Sequence, residues 1–320
     1  VYSRAAMRHA LASYTRALGG RRHLVCYAMK ANSSLAVLQT FAQAGCGFDI
    51  VSVGELERVL AAGGDPKRTV FSGVGKRPDE MRRALEVGVK CFNVESLGEL
   101  QSLSEEARAM NVKAPVSLRI NPDIDPKTHP YISTGLQGNK FGIAHKEAVT
   151  AYRIAASLPG LEVVGIDCHI GSQITEIGPY ADALDRRLDL VEAIEAENIG
   201  IRHIDVGGGL GITYTDEVPP AAEALVGQML ARIDTRGHGQ RELLFEPGRS
   251  LVGNAGVLLT EVLVTKHGTP KNFCIVDAAM NDLLRPALYQ ATMGIVPCVQ
   301  RPGSGTLYDV VGPVCESGDW

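Results

Sequence analysis

Eight short apolar runs, each followed by a helix or helix-like region, leave this chain few ways to fold. The runs cover residues 23–29, 48–52, 69–73, 91–95, 116–120, 163–170, 201–206 and 242–248 and are rich in Val, Ile, Leu and Phe. Between them, stretches such as 54–64 and 179–198 carry apolar residues every third or fourth position, as a helix with one buried face requires. Near-continuous apolar strands joined by helices predict a parallel sheet covered on its outer face, and eight such units close into a (β/α)8 barrel. An open doubly wound sheet is the rival arrangement of the same pattern. After about Gly256 the pattern turns to strands without obvious long helices, at 257–268, 273–280, 294–301 and 306–314. The expected organisation is a barrel over residues 1–255 and a second, β-rich domain over 256–320.

Composition narrows the function classes. A chain of 320 residues, 45% hydrophobic and 21% charged, has the make-up of a globular enzyme with room for one large and one smaller domain. A formal net charge of −4 and a pI of about 6.1 favour neither nucleic acid nor an anionic membrane surface. No apolar run approaches the roughly 18 residues of a membrane span. The seven cysteines are scattered without a CxxC pair or metal-type spacing, so the expectation is no metal, reduced thiols and a cytoplasmic setting. The chain starts at Val1 without an initiator methionine and is expected to be a fragment, which leaves room for a targeting segment upstream.

In a barrel of this kind the active site gathers at the C-terminal ends of the strands. Every expected strand end here is polar: Lys30; Asp49 and Ser52; Ser72; Asn93 and Glu95; Arg119 and Asn121; His169 to Ser172; Gly207 to Gly209; and Glu246 to Arg249. Lys30 follows an apolar strand, so its ammonium is expected in a partly dry cavity. There desolvation and nearby cations would lower its pKa and free the amine for a Schiff base. A lysine snorkelling from a strand end is the plain alternative. The DVGGGLG run (205–211) offers backbone N–H groups with no Cβ to block them, either as a phosphate cradle or as a tight turn. It is not the dinucleotide fingerprint, because Ile212 stands where the third glycine belongs. Glu246 ends an apolar strand and should face a positive group, either a protonated pyridine nitrogen or an arginine such as Arg249. His169 suits stacking on an aromatic cofactor or a structural hydrogen bond. Arg285 and Tyr289, four apart, share one face if helical. A lysine for an aldehyde, a phosphate cradle, a carboxylate and an imidazole around one barrel mouth together fit pyridoxal phosphate.

The strings YAMKAN (27–32), FDIVSVGEL, YISTG with NKFGI, HIGSQ, DVGGGLG, EPGRSLVG, MNDLLRPALY and GPVCESGD span almost the whole chain. In sequence and order they resemble the diaminopimelate decarboxylases of the alanine-racemase-like, fold type III group. The resemblance implies that Lys30 is the Schiff-base lysine and that His169 stacks on the cofactor ring. Asp49, Ser172, Gly207, Gly208, Gly209, Pro247, Gly248 and Arg249 would complete the cofactor site, with Glu246 on the pyridine nitrogen. Arg249, Arg285 and Tyr289 would hold the substrate's distal carboxylate, and Glu316 its distal ammonium. Cys315 would donate a proton to the carbanion left by decarboxylation. Cys315 and Glu316 would reach the other subunit's site, so a homodimer with shared sites is expected. The resemblance further implies that family members continue past this chain's end with more β-domain, so the second domain is only begun here.

Three alternatives bound that reading. Ornithine, arginine or carboxynorspermidine decarboxylases are the nearest, although ornithine enzymes tend to carry Asp where this chain has Glu316. Related racemases place an arginine opposite the pyridine nitrogen, and Glu246 speaks against that activity. A non-catalytic pyridoxal-phosphate-binding barrel lacks the second domain and the CESGD motif, both of which begin here.

Overall fold

Eight parallel strands close on themselves: β1 (His23–Ala28), β2 (Gly47–Ile50), β3 (Thr69–Phe71), β4 (Cys91–Val94), β5 (Ala114–Asn121), β6 (Leu161–Asp167), β7 (His203–Asp205) and β8 (Glu242–Phe245). Each pairs with its neighbour in the chain, and β8 pairs with β1, which completes the ring. The expected barrel is found and the open sheet is not. The structure is a computed structural model that describes residues 1–124, 140–300, 302–303 and 305–319; the YISTG string and Asn139 of NKFGI lie outside the described residues. The chain divides into two units, one of residues 3–212 and 218–255, the other of residues 1–2, 213–217 and 256–320.

The larger unit holds the barrel and the helices α1 (Arg4–Leu18), α2 (Leu35–Gln43), α3 (Val53–Ala61), α4 (Pro78–Val87), α5 (Leu97–Ala109), α6 (Ala148–Ser157), α7 (Gly178–Ala196), α8 (Ala222–Thr235) and α9 (Arg249–Val252). Helix α1 was not foreseen, although the 4–3–4 spacing of its buried Met7, Leu11, Tyr14 and Leu18 marks one apolar face. It starts at Ser3, whose hydroxyl accepts from the Ala6 N–H. Ser52 and Ser96 cap α3 and α5 in the same way, accepting from Glu55 and Glu99 at 3.2 Å. Ser52 therefore spends its hydroxyl on starting a helix.

Strands and helices bury the main core between them, with Phe41, Phe48, Phe71 and Phe92 fully enclosed. Each such ring contributes roughly 1.5–3 kcal/mol by leaving water, and truncating Phe92 to Ala would cost about 3–5 kcal/mol. Inside the barrel a separate apolar plug, Leu24, Cys26, Val70, Cys91, Val164 and Leu244, lies beneath the polar strand ends. Gly165 on β6 leaves the space that the buried His203 ring fills; any Cβ there would overlap the imidazole.

In the smaller unit β9 (Val262–Lys266) runs antiparallel to β10 (Phe273–Val276), and β11 (Asp309–Val311) runs parallel to β10. The short helix α10 (Arg285–Tyr289) follows β10. The strand expected at 294–301 does not form over its described residues, 294–300. Pro297 in the middle of that run removes a ladder donor. Among the described residues no helix is long and apolar enough to cross a membrane.

Candidate active site

Lys30 leaves β1 in a single 3₁₀ turn, Met29–Ala31. Its Nζ donates to Asp49 Oδ2 at 2.8 Å; the Asp49 carboxylate is 1% exposed, whereas the lysine side chain is 53% exposed. A half-wetted amine over a buried carboxylate belongs to an open mouth and not to a closed core. Desolvation pulls the Lys30 pKa down, but Asp49 and Glu246 outweigh it, and the net shift is upward. The expected depression is thus corrected. The strongest charges near the amine are anions, and they hold it as an ammonium.

Glu246 follows β8 and is 5% exposed. Asp167 and Asp205 stand opposite one another in register on β6 and β7. The carboxylate oxygens of Asp167, Asp205 and Glu246 lie within 4.8 Å of one another. Burial pushes all three above the usual carboxylate range; mutual repulsion adds to it at Glu246 and Asp205, while Arg119 and Arg187 oppose it at Asp167. Glu246 Oε1 accepts from Asn93 Nδ2 at 3.2 Å. Arg119, also buried, gives its Nη1 to Glu95 at 3.1 Å. Glu95 in turn accepts the Gly73 and Gly142 N–H groups, so it anchors loops at the rim. The four acids Asp49, Asp167, Asp205 and Glu246 outnumber the cations Lys30, Arg119 and Arg187 that act on them. A protonated heteroaromatic nitrogen fits this set, because it brings one positive charge and one N–H to a buried carboxylate.

The glycine run packs directly on Asp205 and Glu246. Gly207 takes a φ of +77°, and its N–H donates to Asp205 Oδ1 at 2.9 Å. A Cβ on Gly208 would run into the Glu246 carbonyl. The Gly208 N–H donates to His169 Nδ1 at 3.3 Å, and Tyr180 donates its hydroxyl to the Gly208 carbonyl at 3.1 Å. Burial, then Arg119 and Lys30, drive the His169 pKa well below its ordinary value, so the ring is neutral and suited to stacking. Arg249 Nη2 donates to Ser172 Oγ at 3.0 Å. The Pro247 carbonyl accepts from Ala28, and Gly248 lies against Ala28 and Ala31, which seats the EPGR turn against the turn that carries Lys30.

Lys30, Asp49, His169, Ser172, Gly207, Gly208, Gly209, Glu246, Pro247, Gly248 and Arg249 therefore sit at the strand ends of the larger unit. Arg285, Tyr289, Cys315 and Glu316 belong to the smaller one. There the Arg285 guanidinium lies 5.1 Å from the Tyr289 ring and 5.0 Å from the Tyr214 ring. Cys315 and Glu316 are exposed. Sequence reading missed Asp167 and Asp205. Each stands two residues before a site residue, His169 or Gly207, and that repeat was a usable signal.

Comparison with known proteins agrees with this geometry. The family profile described as "Pyridoxal-dependent decarboxylase, pyridoxal binding domain" matches residues 4–253. The diaminopimelate decarboxylase of Pseudomonas aeruginosa is 60% identical over 321 residues, covering all of this chain and 76% of that protein. That of Vibrio cholerae is 58% identical over 320 residues, with the same coverage. The crystal structure of diaminopimelate decarboxylase from Helicobacter pylori complexed with L-lysine superimposes with a TM-score of 0.94 at 42% identity, over 99% of this chain and 79% of that one. The chain belongs to the diaminopimelate decarboxylase family of pyridoxal-dependent decarboxylases.

Proposed function

We propose that this protein is a carboxy-lyase that removes carbon dioxide from meso-2,6-diaminopimelate to give L-lysine, the last step of lysine biosynthesis, with pyridoxal 5′-phosphate as cofactor. The observation that carries the reading is Glu246, a buried carboxylate in an acid-rich ring next to a lysine at the barrel mouth. When bound, the cofactor supplies an aldehyde for an amine and a protonated ring that draws off the electron pair freed as carbon dioxide leaves.

Lys30 provides the attachment amine, and Asp49 holds it in place as an ammonium. Glu246 keeps a proton on the ring nitrogen, and the neutral His169 covers a ring face. Ser172, Gly207, Gly208, Gly209 and the Pro247–Gly248 backbone hold the phosphate. Arg249, Arg285 and Tyr289 bind the distal carboxylate and Glu316 the distal ammonium. Cys315 Sγ delivers the proton that Cα takes up afterwards. Residues 1–255 form the cofactor domain and 256–320 contribute substrate contacts. The active form is a homodimer in which Cys315 and Glu316 of one protomer serve its partner's site. A cytoplasmic location is supported by seven cysteines that are all free thiols.

Decarboxylation of meso-diaminopimelate, lysine, ornithine and arginine tests the reading. A site built around buried charged partners rejects analogues lacking one of them, so lysine and ornithine should be poorer by at least about 10³-fold in kcat/KM. Comparable turnover of ornithine would move the protein to the sister decarboxylases.

A further inference from the structure

We infer that Asn93 is a positioning residue for Glu246: its amide holds that carboxylate as the acceptor the cofactor's ring nitrogen requires. The inference rests on the role given to Glu246 above. Asn93, on β4, is 0% exposed. One amide hydrogen goes to Ser72 Oγ at 3.1 Å and the other to Glu246 Oε1 at 3.2 Å. The amide oxygen faces the Cys91 thiol at 3.8 Å. A flipped amide would set its oxygen against the Glu246 carboxylate and its NH₂ against the thiol, so the donor orientation is the one this surrounding accepts.

The backbone is held just as firmly. The Asn93 carbonyl accepts from Lys76 Nζ at 2.7 Å, and the same ammonium reaches the Gly73 carbonyl at 2.8 Å and Glu99 Oε1 at 2.6 Å. The Lys76 side chain is 0% exposed and its Glu99 partner 7%. A fully buried lysine is costly, and this one clips the ends of β3 and β4 together directly behind Asn93.

Glu246 is faced by the acids Asp205, Asp49 and Asp167, the cations Lys30 and Arg119, and the thiols Cys26 and Cys91. The acids favour a proton on Glu246. Asn93 offers an N–H it cannot surrender, and so favours the ionised acceptor. Its contribution is therefore specific to a ligand with a nitrogen in the ring.

The test compares equilibrium binding of pyridoxal phosphate with that of its 1-deaza analogue, in which CH replaces the ring nitrogen while aldehyde and phosphate remain. Wild-type protein should prefer pyridoxal phosphate. Asn93→Ala should cut that preference about tenfold, the weight of one hydrogen bond to a charged group, and leave affinity for the deaza analogue nearly unchanged. Ser72→Ala, a milder change that frees the other amide hydrogen, should move the preference the same way by a smaller factor and serves if Asn93→Ala does not fold. Parallel loss of both affinities with an unchanged preference in the folded variant overturns the inference alone. A wild type with no preference overturns the role of Glu246 and the inference with it.

Discussion

Lys30 Nζ and Asp49 Oδ2 stand 2.8 Å apart, one on the turn after β1 and the other within β2. An amine that would have to be neutral to attack an aldehyde is thus held as a cation by its partner. Its pKa is raised, so the reactive fraction grows as pH rises toward that value. Capture of pyridoxal phosphate by the apo-protein, trapped with borohydride, should therefore quicken with pH. Asp49→Asn removes the main anion and should speed capture at neutral pH, by roughly tenfold per unit of pKa released. Lys30→Ala should show no trapped label. An Asp49→Asn protein that captures at the wild-type rate would mean the ion pair does not govern attachment.

Glu246→Gln keeps the shape of the side chain but cannot carry the charge that holds a proton on a pyridine nitrogen. It should retain cofactor and lose about 10²-fold in kcat, on the order of 3 kcal/mol in the barrier. Unchanged turnover would assign ring protonation to another group.

The acid ring also sets how the apo-protein responds to pH. Burial and Asp167 raise Asp205 above its unfolded value of about 3.9, so folding takes up a proton that the unfolded chain releases. That stabilisation is complete below about pH 4 and is lost as pH climbs through the raised value. Asp205→Asn cannot ionise, and should show a higher urea midpoint than wild type at mildly alkaline pH, with the advantage gone near pH 4. Equal midpoint differences at both ends would refute the linkage.

Gly208 approaches the Glu246 carbonyl too closely for any side chain. Gly208→Ala should shift the backbone between cradle and acid ring, at about 1–3 kcal/mol in stability, and weaken cofactor affinity in equilibrium dialysis. Gly54→Ala is the control. Its Cβ would meet nothing closer than Ser52 Oγ at 3.8 Å, within helix α3, and binding should not change.

The shared-site proposal predicts complementation. Lys30→Ala and Cys315→Ala proteins should each be inactive, and a mixture should regain activity through heterodimers that hold one intact site. Persistent inactivity after subunit exchange, verified by mass spectrometry, would place Cys315 in its own protomer's site or outside catalysis.

The barrel was legible because each strand is an apolar run that ends abruptly in polar residues, and β1 and β8 hand over in this way to Lys30 and Glu246. The charge state of Lys30 was not. Its partner arrives from β2, and the sequence alone does not say which strand-end charge faces which. Asp167 and Asp205 become neighbours only through the register of β6 and β7. Polar strand ends also proved to be of two kinds, since Ser52 caps a helix and Glu95 ties down loops, while Asp49 and Glu246 face the lysine. Residue type at a strand end does not separate these uses; the direction of the side chain does.

The plug beneath the acid ring carries two of the thiols, Cys26 and Cys91, and both are fully buried. An aldehyde is as vulnerable to sulfur as to nitrogen, and a thiolate in this barrel would compete with Lys30 for it. Burial, followed by the charge of Asp205, pushes both thiols far above the range in which they ionise. On the proposed cofactor site the acids above them would act twice, drawing a cationic ring nitrogen in and keeping sulfur protonated below. The barrel would in this sense be a chemoselective vessel, in which an aldehyde meets an exposed amine at the mouth and no ionised sulfur below it.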